Sequence, residues 1–479
     1  MNTLKQVTFA CLSLLLSACA TQTPPASIAP ATPAQWHAPL PSSATADALP
    51  HNGTLPGLSQ WWQQQGDPLL VQLIEAAQEV SPSIAAAAAR IEQARSTRVA
   101  ANAALLPTLD ASLSASRTSA QPPLPINTVA QAALQTSWEI DLFGAGRASR
   151  DAAQARLEGA EAGWHDARVA VAAEVANQYY SLRACEKLLN ITLADTTSRA
   201  EIARLSELSA RAGFQAPATA ALARASAAEG NARATQQRAL CDIDIKALVA
   251  LTAMSEQELR QQLAENRDAP DQSTSFSIAS LPAQTLTQRP DVFAASREVA
   301  AASAEIGNAQ AQRYPRLSLS GSVGAAKFRA AGLSDDLATW SVGPLALSLP
   351  LFDGGSRAAN IEAAKARYNE AAARYRATVR QAVREVEEAL VNLQSTGARR
   401  EDVLLAAQDY RVSFNATQSR YKNGLASLVE LEESRRTLLA AESVVVSLER
   451  ERRAAWITLY RAAGGGWTGP SMDAVQAQH

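Results

Sequence analysis

The 479-residue chain has few of the groups from which metal centres, nucleotide sites and wide cores are built. Its four histidines, His37, His51, His165 and His479, are scattered at no metal-ligand spacing, so neither a metal nor a cofactor is expected. Beyond the first nineteen residues no segment runs to roughly 18 consecutive apolar residues, which excludes a transmembrane helix. A formal net charge of −2 and a pI of 6.2 leave no basic face for nucleic acid. The glycine clusters Gly144-Ala145-Gly146 and Gly354-Gly355 lack a P-loop continuation and read as strand-to-helix turns.

What is present begins with an address. Lys5 supplies a short positive region, and Val7 to Leu16 form an apolar run too short to span a bilayer. Leu16-Ser17-Ala18-Cys19 has the form of a lipoprotein cleavage site, so residues 1–18 read as signal peptide and Cys19 as the acylated N-terminus. Ala20, rather than Asp, favours the outer membrane of a Gram-negative cell. Acyl chains anchor a protein to lipid without spanning it. Residues 19–58, rich in Pro and Ala, read as a tether that forms no core. Folding resumes near Trp61-Trp62, and 466–479 reads as a tail.

Between these ends the chain repeats itself. Pro82 and Pro107 recur as Pro290 and Pro315, both at an offset of 208 residues. Leu142-Phe143-Gly144-Ala145-Gly146-Arg147 is echoed by Leu351-Phe352-Asp353-Gly354-Gly355-Ser356-Arg357, and Gly213 by Gly424. A copy of roughly 180 residues is too long for a solenoid repeat. The repeats are placed at 59–270 and 271–465.

Each copy mixes two periodicities. Residues 69–106 and 291–314 carry apolar residues at helical spacing, as in Leu69, Leu70, Leu73, Ile74 and Ala77. After Pro107 and Pro315 the period becomes two: Leu109, Ala111 and Leu113 alternate with Asp110, Ser112 and Ser114, and Leu317 and Leu319 with Ser318 and Ser320. Polar breaks at 119–127 and near 329–338 precede second strands at about Ala130–Leu142 and Thr339–Leu351, giving β-hairpins at about 107–142 and 315–352. Strands of about ten residues with one apolar face match a membrane barrel, or a soluble sheet packed on helices. Four strands cannot close a barrel, so the membrane reading demands oligomerisation.

Long helices are expected from Arg147 to Ala212 and from Arg357 to Asn423, each a rod of roughly 100 Å. Turns fall at Gly213 and Gly424, with return helices over 218–264 and 427–462. Alanine dominates these runs, which suits a thin wall of closely approaching helices better than a globule. The fold class is therefore mainly α with β: duplicated, with long antiparallel helical hairpins and four strands per chain.

In this order the residues resemble a known family. The carriers are Trp61-Trp62 with Asp67-Pro68-Leu69, Arg90-Ile91-Glu92-Gln93-Ala94-Arg95, Arg289-Pro290-Asp291-Val292, Tyr314-Pro315-Arg316-Leu317 and Pro350-Leu351-Phe352-Asp353-Gly354-Gly355. The chain resembles the TolC-like outer-membrane efflux proteins, in their NodT/OprM-type lipoprotein branch, over residues 60–465. The resemblance implies a homotrimer with a 12-stranded barrel in outer-membrane lipid and a periplasmic α-barrel. It implies a passive exit duct for small toxic compounds or drugs, docked to a periplasmic adaptor and an inner-membrane pump of the resistance-nodulation-division type. Two alternatives are a duct for protein or peptide secretion and a purely structural coiled-coil lipoprotein.

The resemblance also places a gate. Family members carry two acids three residues apart just after the second tip turn, and here Glu430 and Glu433 match them. Threefold symmetry would stack them into two acidic rings that favour cations and bind divalent ions. The positions of the family's Arg–Asp lock read Ala426 and Thr219, so that ion pair is expected to be missing, with Tyr421 left as a hydrogen-bonding lock. Cys185 and Cys241 each lie 28 residues from Gly213. In an antiparallel hairpin they stand at one height, as a disulfide in an oxidising compartment or as two buried thiols.

Overall fold

A computed structural model describes residues 23–29, 36–38, 61–64, 66–119, 126–266, 286 and 289–467. The signal peptide, Cys19, most of the tether and the tail beyond 467 lie outside the described residues. Two compact units are present, one combining Ala87–Gly163 with Phe293–Thr378, the other Trp164–Val292 with Val379–His479 and Ala31–Ala86. Each unit draws on both sequence repeats, because α4 and α8 below contribute to both.

The element order is α1 (Trp61–Gln64), α2 (Pro68–Val80), α3 (Pro82–Ala103), β1 (Thr108–Thr118), β2 (Asn127–Ile140), α4 (Ala145–Arg211), α5 (Pro217–Thr252), α6 (Glu256–Glu265), α7 (Pro290–Ala311), β3 (Arg316–Ala330), β4 (Leu333–Ser348), α8 (Ser356–Lys422) and α9 (Leu428–Ala462). The helix starts follow capping chemistry. Pro82 and Pro290 stand at the first helical position, where a missing N–H is harmless. Around Pro82 the Ser81 and Ser83 hydroxyls bond each other at 2.9 Å. Around Pro290 the same two positions hold an ion pair, Arg289 to Asp291 at 2.8 Å. Arg289 is buried, and it also binds Glu385 on α8 at 2.8 Å and the Ala462 carbonyl ending α9 at 3.2 Å. The arginine thereby ties three helices together.

The unit containing the strands holds one antiparallel sheet in the order β1-β2-β3-β4. The registers Leu113↔Ala132, Leu134↔Val323 and Val323↔Trp340 put large apolar side chains of all four strands on one face, while Val129, Phe328 and Leu337, toward the β3–β4 turn, fall on the other. The opposite face carries Ser112, Gln135, Ser322 and Ser341. The apolar face is bare: Leu113 is 86 %, Trp340 77 % and Val342 85 % exposed.

Two expectations about this sheet need correction. The strands reach 11 to 16 residues, and the break expected near 329–338 is a two-residue turn. Ala331 and Gly332 both take positive φ, the twist that joins adjacent strands tightly. Polar Asp336 stays in the strand because Lys327 faces it across the pair at 3.1 Å. At its other end β4 bulges near Gly343–Pro344, and a proline without N–H is tolerated on that edge strand.

Both strand-to-helix turns are capped by an aspartate. Asp141 accepts from the Gly146 and Arg147 amides at 3.2 and 2.9 Å, and Asp353 from Gly355 and Arg357 at 3.0 Å each. The two carboxylates stand on opposite sides of the Leu-Phe pair in sequence, yet do the same work. Nearby, Ala152, Ala155 and Ala301 bring α4 and α7 into close contact. Part of the tether is docked here: Ser303 donates to the Pro24 carbonyl at 2.6 Å and Tyr368 to the Pro25 carbonyl at 3.0 Å.

The second unit holds the hairpin tips. The first return helix ends sooner than expected: Ala253 adopts the left-handed conformation and Ser255 caps the separate α6. Trp61, Trp62, Trp456 and Tyr460 form an aromatic core, with Trp62 and Tyr460 centroids 4.9 Å apart. On α8, Glu387 accepts the His37 and Ala38 amides at 2.6 and 2.8 Å, seating a further piece of the tether.

Candidate functional site

The turns between α4 and α5 and between α8 and α9 contain Gly213 and Gly424, at φ +77° and +72°. Glycine meets no steric penalty there, and the Phe214 and Leu425 amides reach back five residues to close each helix. Ser427 then caps α9, accepting from the Glu430 amide at 3.1 Å. Below the turns Ile202, Ala223, Leu428 and Leu431 make a small core on which Tyr421 packs.

The two acids singled out by sequence lie on the exposed side of α9. Glu430 pairs with Arg420 at 2.6 Å, and Glu433 pairs with Arg436. Each carboxylate thus has a guanidinium of its own chain beside it, and such exposed pairs are weak and exchangeable. Tyr421 Oη lies 3.1 Å from Ser206 Oγ on α4, bridging the hairpins. Thr219 and Ala426 make no ion pair among the described residues. Further along the first hairpin, Cys185 and Cys241 are joined as a disulfide with their Cα atoms 5.5 Å apart.

Sequence reasoning passed over Glu432, which points the other way. It sits in a buried cluster with Asp195, Arg199 and Arg435 on α4 and α9. Arg199 donates to Asp195 at 2.7 Å, to Glu432 at 2.8 Å and to the Ser226 hydroxyl of α5 at 2.6 Å. Arg435 donates to Glu432 at 2.6 Å and to Ser198 at 3.1 Å, and its Nε lies 3.3 Å from Asp195. The side chains of Asp195, Arg199 and Arg435 are 4 %, 5 % and 2 % exposed. Burial pulls the Arg435 guanidinium below its ordinary pKa, while Glu432 and Asp195 push it back up. Two positive and two negative charges balance. Gly230 makes the cluster possible, since a Cβ there would stand 2.9 Å from the Arg199 Cδ. The one signal in the sequence was a glycine inside a long helix, which marks a close approach.

The profile of the family described as Outer membrane efflux protein matches residues 73–254 and 281–465, one match in each repeat. The chain belongs to the outer membrane efflux protein family. Among its relatives, the solvent efflux pump outer membrane protein SrpC of Pseudomonas putida is 28 % identical over 448 residues, 92 % of this chain and 94 % of that protein. The pyoverdine export outer membrane protein OpmQ of Pseudomonas putida is 30 % identical over 479 residues, covering 96 % and 97 %. The solved outer-membrane channel OprN superposes with a TM-score of 0.80 at 29 % identity, covering 92 % of this chain and 99 % of that one. The family is one of channels, not enzymes, and its fold combines barrel strands with a helical barrel. The efflux protein described here is therefore an outer-membrane duct component of a Gram-negative cell.

Proposed function

We propose that three copies of this chain close a twelve-stranded barrel and a helical conduit, forming the passive exit duct of a tripartite efflux pump. The observation that carries this reading is the bare sheet. It has two unpaired edges, β1 and β4, and one face of exposed large apolar side chains, an arrangement that is stable only when closed and bathed in lipid. Acylation at Cys19 adds an anchor. The energy comes from an inner-membrane pump of the resistance-nodulation-division type, reached through a periplasmic adaptor. The cargo is small toxic compounds or drugs, a reading supported by relatives named for solvent efflux. Glu430 and Glu433 ring the periplasmic entrance, and Tyr421 bridges the hairpins beside it.

Planar-bilayer recording of the purified protein tests this. We expect discrete channels, together with a trimer-sized band after crosslinking cysteines placed on β1 and β4. Absence of both conductance and interchain crosslinks would leave only a structural coiled-coil role.

A further inference from the structure

A recess of about 380 Å³ opens between α4, α5, α6 and α9 and serves no part of the duct chemistry above. Six cationic and four acidic side chains line it. The acids are all engaged. Asp67 accepts from the Tyr179 hydroxyl at 2.6 Å, Glu186 pairs with Arg183 at 2.9 Å, Asp242 with Arg260 at 2.6 Å and Glu449 with Lys187 at 2.9 Å. Arg238 on α5 and Arg450 on α9 have no acidic partner among the described residues, so the recess carries an excess of positive charge. Its floor is apolar, made by the nearly buried Ile245 and Val446. The Cys185–Cys241 bond fixes the spacing of α4 and α5 at this level, so two of the walls are set before any ligand arrives.

We infer that this recess binds a small amphiphilic anion, a carboxylate or phosphate ester with one short hydrocarbon chain. Arg238 on α5 and Arg450 on α9 grip the head, since guanidinium groups match the planar oxygens of such anions. The chain lies over Ile245 and Val446. The volume lies in the range of small-molecule sites and suits one short chain better than a two-chain lipid. This inference is independent of the duct reading, because occupancy can be measured without transport.

The test uses the purified full-length protein in a neutral detergent, titrated calorimetrically with hexyl phosphate, inorganic phosphate and hexanol. Saturable binding of hexyl phosphate at one site per chain is expected, at least tenfold tighter than either fragment. R238Q/R450Q should weaken it at least tenfold with an unchanged thermal midpoint, which excludes a folding artefact, and R238K/R450K should fall between the two because lysine lacks the planar fork. Equal binding of hexanol would reduce the recess to an apolar crevice and overturn the inference. So would unchanged affinity in R238Q/R450Q, or no binding at millimolar hexyl phosphate while the channels still conduct.

Discussion

At the scale of single residues, the buried cluster of Asp195, Arg199, Glu432 and Arg435 matters more than the exposed acids beside it. Removing one member of a buried balanced set leaves an uncompensated charge, which costs about 3–5 kcal/mol. Arg435→Met should therefore lower the thermal midpoint markedly. The fourfold change D195L/R199M/E432L/R435M should recover most of the loss, because apolar replacement of a whole set is close to neutral. Recovery failing in calorimetry would show that the cluster does more than hold three helices together. The exposed acids carry the proposed ion selectivity. E430Q/E433Q should reduce the cation preference of single channels, and R420Q/R436Q should raise it by unmasking the same carboxylates; reversal potentials in a salt gradient read both. The exposed position of Glu430 and Glu433 on one side of α9 was legible in sequence from their i, i+3 spacing. The cluster was not, since Arg199 and Glu432 are 233 positions apart and only the folded hairpins bring them together.

At the scale of elements, alternation located the first strand of each pair, the polar breaks the second, and the glycines at 213 and 424 both tips. The misreadings have separate causes. Ser334, Asp335 and Asp336 look like loop by composition, but a tight turn and a cross-strand partner keep polar residues inside β4. Ala253 breaks the return helix in a conformation that alanine rarely adopts, and the signal passed over was Ser255 three residues before Glu258, a helix-start pattern. Gly324 on β3 offers a sharp test of the sheet. A Cβ there would come within 2.3 Å of the Ala132 carbonyl oxygen on β2, a backbone atom that cannot step aside. Gly324→Ala should destabilise the sheet by about 1–3 kcal/mol, visible as a lower urea midpoint. An unchanged midpoint would mean that β2 and β3 lie farther apart than described.

At the scale of the whole molecule, the question is what holds the chain to its membrane. Acyl chains on Cys19 would hold the chain at the surface of the lipid, whereas the exposed side chains of the sheet offer a large apolar area that enters it. Cys19→Ser carrying a cleavable secretory leader should therefore still sediment with outer membranes and resist carbonate extraction; recovery in the soluble fraction would place the attachment in the lipid instead. The sheet has one more implication, because its central pairing joins strands from different repeats, with Ile140 opposite Leu317. While the first repeat emerges, β2 has no partner on that side until the second repeat has followed. Such distant pairing makes folding slow and leaves a sticky ribbon in water meanwhile. Biogenesis of this chain thus calls for a holding chaperone during its crossing to the outer membrane.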